Sequence, residues 1–127
     1  MASDCASADG AGKDWSGDRR TFALLWGLPG GAMAAAAFLD PPLRAIVWTV
    51  MLLWMAGACI ANARRCSRTH CRFTGPFFLL MAGLVAGYGL GLLPLGPYGW
   101  GMLGGVTLVG FVMLWWASER VWGTFTR

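Results

Sequence analysis

The chain has 127 residues, of which 57% are hydrophobic and 13% charged, with 19 glycines and a formal net charge of +4. A soluble domain is about one quarter charged, so this composition cannot furnish a water-facing surface, and the same apolar excess excludes a disordered chain. The glycines have no three-residue period, which removes collagen, and an integral membrane protein remains.

Residues 1–20 are polar, small and mixed in charge, and read as a disordered tail. A first apolar block, Thr21 to Leu39, is long enough to cross a hydrocarbon core of ~30 Å and ends at Asp40-Pro41-Pro42. A second block runs from Leu43 to Ala63. The basic interruption Arg64-Arg65-Cys66-Ser67-Arg68-Thr69-His70-Cys71-Arg72 follows. Apolar blocks at about 73–93 and 98–117 come next, separated by a proline-bounded turn at Pro94-Leu95-Gly96-Pro97. The expected architecture is an all-α bundle of four transmembrane helices over 21–120, with a short C-terminal tail at 121–127.

Basic residues set the expected orientation. Segments 1–20, 64–72 and 120–127 hold nine of the ten, and Arg44 stands alone on the opposite side. That bias places both termini in the cytoplasm. Arg64, Arg65, Arg68 and Arg72 read as topology signals and contacts for anionic lipid headgroups, not as a nucleic-acid surface. An alternative for the N-terminus is a twin-arginine export signal, Arg19-Arg20-Thr21-Phe22, ahead of a cleavage-like Ala32-Met33-Ala34. Gly83, Gly87 and Gly91 repeat every fourth residue, as do Gly101 and Gly105. Such faces let helices approach closely within the bundle or along a homodimer seam.

Chemistry concentrates in Cys66-Ser67-Arg68-Thr69-His70-Cys71, where two cysteines and the only histidine fall within six residues. Thiolate and imidazole donors suit Zn(II), Cu(I) or Hg(II), and the surrounding arginines favour the thiolate form. If the second helix continues through the arginines, Cys59, Asn62, Cys66 and His70 share one face. Cys59 then lies roughly 10 Å from Cys66 at ~1.5 Å per residue, a spacing for hand-over between thiols rather than for one shared ion. Glu119 is the acidic residue nearest this loop, as an arginine partner or an accessory ligand. The tail thiol Cys5 stands apart from the others.

No Ser/His/Asp set, paired carboxylates, phosphate loop or haem-attachment pair is present, so the chain is expected not to be an enzyme. Soft-metal binding with transport or hand-over is the leading reading, and no other cofactor is expected. A non-catalytic accessory or assembly subunit of a larger membrane complex is the alternative. A membrane thiol-redox protein using Cys66 and Cys71 is a third.

The run from Asn62 to Phe78, with its RRCSRTHCRFTGP core, resembles small uncharacterised bacterial inner-membrane proteins, some associated with heavy-metal and particularly mercury resistance. Gly91-Leu92-Leu93-Pro94-Leu95-Gly96 fits the same resemblance, which covers about residues 50–100. It implies a multi-pass protein of the bacterial inner membrane with a role in metal or metalloid handling. The chain departs from mercuric-ion transporters, which carry a vicinal cysteine pair in the first span; here that span has no cysteine.

Overall fold

The computed structural model describes residues 19–66 and 69–123, excluding the side chains of Arg65 and Cys66. Every regular element among the described residues is helical. Helix α1 (Arg19–Phe22), a π-helical turn (Ala23–Gly27) and α2 (Leu28–Ala36) follow one another without a break. They are succeeded by α3 (Pro41–Cys66), α4 (Thr69–Gly89) and α5 (Gly99–Trp122).

Three helical segments, Pro41–Arg64, Thr69–Gly89 and Gly99–Trp122, are long and apolar enough to cross a membrane. The first helical stretch differs in its backbone. Pro29 has no N–H to offer the carbonyl four residues back, and a neighbouring bond widens in register: the Leu28 N–H donates to the Ala23 carbonyl, five residues earlier. The widened turn buries one residue, Trp26.

Apolar side chains cover the outside of the bundle as well as its core. Asn62, Thr69, His70, Thr74, Thr107 and Ser118 are buried, while Leu53, Leu80, Val106, Leu108, Val109 and Val112 are exposed. That is the distribution a hydrocarbon solvent demands, since a polar group facing lipid would lose its hydrogen bonds. The core between α3 and α4 contains Leu52, Met55, Ala56, Phe78, Met81 and Val85.

Helix ends depart from the hydropathy boundaries. The third block was expected at 73–93, but α4 occupies Thr69–Gly89. At its C-terminal end, the Leu92 N–H donates to the Gly87 carbonyl at 2.8 Å across Gly91, whose φ of +78° closes the turn. At its other end, α3 runs through Arg64 to Cys66, so the basic run is mostly helix and not loop. At the turn between α2 and α3, the Arg44 guanidinium donates to the Leu39 carbonyl at 2.8 Å and lies 5.2 Å from the Trp100 ring centroid.

The expected glycine faces are not where the helices of this chain meet. A Cβ at Gly83, Gly101 or Gly105 would enter open space, Gly91 lies beyond α4, and Gly87 faces Leu93 of its own turn. Close approach occurs instead at Gly75 against Ile60, Gly89 against Ala45, Gly104 against Trp48 and Gly110 against Phe77. The residue on the opposing helix decides which glycine is needed, and a four-residue repeat contains no information about that partner. The tightest of these for the site is Gly75, whose Cβ would lie 2.8 Å from Ile60 Cγ1 and 3.6 Å from Cys59 Cβ.

Candidate functional site: a buried dithiol with a histidine–carboxylate pair

Close approach at Gly75 brings the end of α3 against the start of α4. Cys59 and Asn62 are one turn apart on α3; His70, Cys71 and Thr74 fall within about one turn on α4. All five are completely buried. The Cys59 and Cys71 side chains are hydrogen-bonded to each other across the hairpin, and neither is in a disulfide.

Each sulfur has further polar company. The Trp26 indole N–H donates to Cys59 Sγ at 3.3 Å, and the Asn62 amide donates to Cys71 Sγ at 3.4 Å. Thr74 Oγ1 lies 3.3 Å from Cys59 Sγ and 2.8 Å from the His70 carbonyl. Its single proton goes to the carbonyl, the nearer and stronger acceptor.

His70 is held on both ring nitrogens. Nδ1 is 2.7 Å from Glu119 Oε1 on α5, and Nε2 is 3.3 Å from Cys71 Sγ. With a carboxylate as acceptor, Nδ1 carries the proton and Nε2 is the base that faces the Cys71 S–H. The imidazole also stacks on Trp115, with centroids 4.0 Å apart and planes 9° from parallel. Glu119 is partly exposed and borders a surface cleft of about 510 Å³ that Trp115, Trp116 and Arg120 also line. The groups therefore form a line, Cys59 to Cys71 to His70 to Glu119, running from the helix interior to a solvent-reaching carboxylate.

No family model, curated protein or solved structure matches this chain. Its functional reading therefore rests on the geometry.

The expected metal cluster assembles differently from its sequence outline. His70 and Cys71 are on α4, buried, and not in a loop, while Cys59 joins them directly instead of standing a relay distance away. The single helix face proposed for Cys59, Asn62, Cys66 and His70 does not form, because α3 ends at Cys66 and His70 belongs to a separate helix, α4, that packs against it. Cys5, Arg68 and the side chains of Cys66 and Arg65 lie outside the described residues. Arg64 and Arg72 are at the α3–α4 end of the bundle and exposed.

Among the described residues, no three His, Cys, Asp or Glu side chains are grouped to hold one metal ion. Coordination needs donors to surround a point at ~2.0–2.3 Å, whereas these donors are strung end to end. Sequence reasoning missed Trp26, Thr74 and Trp115, and it left the Glu119 partner open between arginine and metal. The signal available was the polar spacing 59/62 and 70/74, placed inward on two otherwise apolar helices.

Proposed function

We propose that this protein is a four-span membrane protein that carries out two-electron dithiol–disulfide chemistry at Cys59 and Cys71. The line of hydrogen bonds from Cys59 to Glu119 carries this reading. In the forward step the two S–H bonds break, one S–S bond forms, and two electrons and two protons leave. The electrons pass to an acceptor. The Cys71 proton is taken by His70 Nε2, with Glu119 holding the ring in the productive tautomer, the arrangement by which a histidine activates a thiol in nucleophilic catalysis. Cys59 takes the part that the sequence reading gave to Cys66, and the chain becomes a redox protein instead of the expected non-enzyme.

The first helical stretch completes the four spans in this reading. Arg19, Arg20, Arg64, Arg72 and Arg120 then lie on one side and Arg44 on the other, which puts the dithiol near the cytoplasmic face of a bacterial inner membrane.

A soft-metal reading draws on the same thiol–thiol contact. Cu(I) and Hg(II) accept two thiolates without a third ligand, so Cys59 and Cys71 would suffice, with Cys66 unnecessary. One experiment separates the readings. The purified, reduced full chain is treated with diamide, a small membrane-permeable thiol oxidant, and in parallel with Cu(I) or Hg(II) under a competing chelator. The redox reading predicts that wild type and Cys66→Ser each lose two thiols per chain intramolecularly, while Cys59→Ser and Cys71→Ser do not. Inert thiols together with stoichiometric, Cys59- and Cys71-dependent metal binding would replace it with the metal reading.

A further inference from the structure

Trp26 belongs to two environments at once. Its indole N–H donates to Cys59 Sγ, and its ring walls an apolar cavity of about 400 Å³ between α2, α3, α4 and α5. Met33, Met55, Phe78 and Phe111 also line it. Met55 stands one turn before Cys59 on α3, and Phe78 one turn after Thr74 on α4, so the cavity ends about one side chain from the dithiol. Cys59, Cys71 and their polar neighbours are completely buried. The cavity therefore offers an apolar approach to Cys59 through Trp26, distinct from the Glu119 cleft, with which it shares no lining residue.

Trp26 is also the one buried residue of the π-helical turn. Single π turns are frequent at functional sites and mark places where helical register can adjust. Movement of this one ring would join the cavity to the Cys59 sulfur.

We propose that the cavity binds a membrane-borne quinone, which is the two-electron acceptor for the Cys59–Cys71 pair, and that Trp26 is the gate between them. This rests on the dithiol reading and names its oxidant. Three properties select the class: a flat ring suits walls of Trp26, Phe78 and Phe111, solubility in the bilayer suits the route, and two-electron capacity suits a dithiol. A lipid acyl chain has the second property alone.

Cys59 sulfur adds to a ring carbon, forming an S–C bond, while its proton is delivered to a quinone oxygen. Cys71, its proton taken by His70 Nε2, attacks Cys59 sulfur. The S–S bond forms, the S–C bond breaks with its electron pair returning to the ring, and a proton from water completes the hydroquinone while His70 releases the Cys71 proton by way of Glu119. Two thiols and one quinone become one disulfide and one hydroquinone.

The test uses the reduced full chain in phosphatidylethanolamine/phosphatidylglycerol nanodiscs with ubiquinone-1, following hydroquinone formation by absorbance and thiols by alkylation. One hydroquinone per chain is expected. Gly30→Phe and Ala34→Phe, at cavity-lining positions one and two turns beyond Trp26, place a ring in the cavity. Each is expected to slow the quinone reaction about tenfold or more, leaving the diamide reaction at its wild-type rate. Diamide pairing of Cys59 with Cys71 without any quinone reduction would overturn the inference and leave the dithiol reading standing. So would wild-type quinone rates in both variants, as for a cavity that holds only lipid. Failure of both oxidants would overturn both readings.

Discussion

Replacing His70 with phenylalanine is expected to slow oxidation of the Cys59–Cys71 pair by ~10²–10⁴-fold, the range over which a positioned general base acts. Phenylalanine keeps a ring against Trp115, 4.0 Å away in the wild type, so the local packing has a near substitute. What it removes is the Nε2 acceptor at 3.3 Å from Cys71 Sγ and the Nδ1 donor to Glu119. The time course of thiol loss with diamide measures the effect, and Glu119→Ala should show a smaller loss in the same direction. If His70→Phe reacts at the wild-type rate in a chain of unchanged thermal stability, His70 is a packing residue and the line of hydrogen bonds carries no proton.

The second large effect is expected from Gly75→Leu, which touches no polar atom of the site. Even the first carbon of the new side chain would lie 2.8 Å from Ile60 Cγ1 and 3.6 Å from Cys59 Cβ. Ile60 is branched at Cβ and cannot swing Cγ1 clear cheaply, so α3 and α4 must part. Overpacking of this kind costs ~1–3 kcal/mol, and the separation falls where the two thiols meet. Thermal unfolding should record the loss of stability. The yield of intramolecular disulfide should drop, and alkylation of Cys59 and Cys71 by a membrane-permeable maleimide should become faster. Leu at Gly83 is the matched control, because a Cβ there meets open space. Equal behaviour of the two variants would mean that the helix approach at Gly75 does not set the thiol contact.

Much of the fold is legible in the sequence because the membrane imposes one strong rule, an apolar run of fixed length, and three such helices are present. Their ends are less legible. Hydropathy marks Arg64 to Arg72 as an interruption, but arginine is a good helix former and its long side chain can leave the membrane while the backbone stays helical. Two helices therefore extend into the run from both sides.

The site was half visible for the same reason. Cys59, Asn62, His70 and Cys71 carry a chemical signal in sequence, yet their grouping depends on where the chain turns. Continued as one helix, they separate Cys59 from Cys71; with α4 packed back on α3, Cys59 and Asn62 instead meet Thr74 and Cys71. Trp26 and Trp115 carried no comparable signal, because a membrane protein with eight tryptophans uses most of them at the bilayer interface. Their roles emerge only from the approach of the first helical stretch and α5 to the hairpin.

The most direct measurement of the central claim is peptide mapping of the disulfide formed when the reduced full chain is oxidised in its membrane. A Cys59–Cys71 linkage, with Cys5 and Cys66 recovered as free thiols, is the predicted result. A Cys66–Cys71 linkage, or complete recovery of all four thiols, would contradict it.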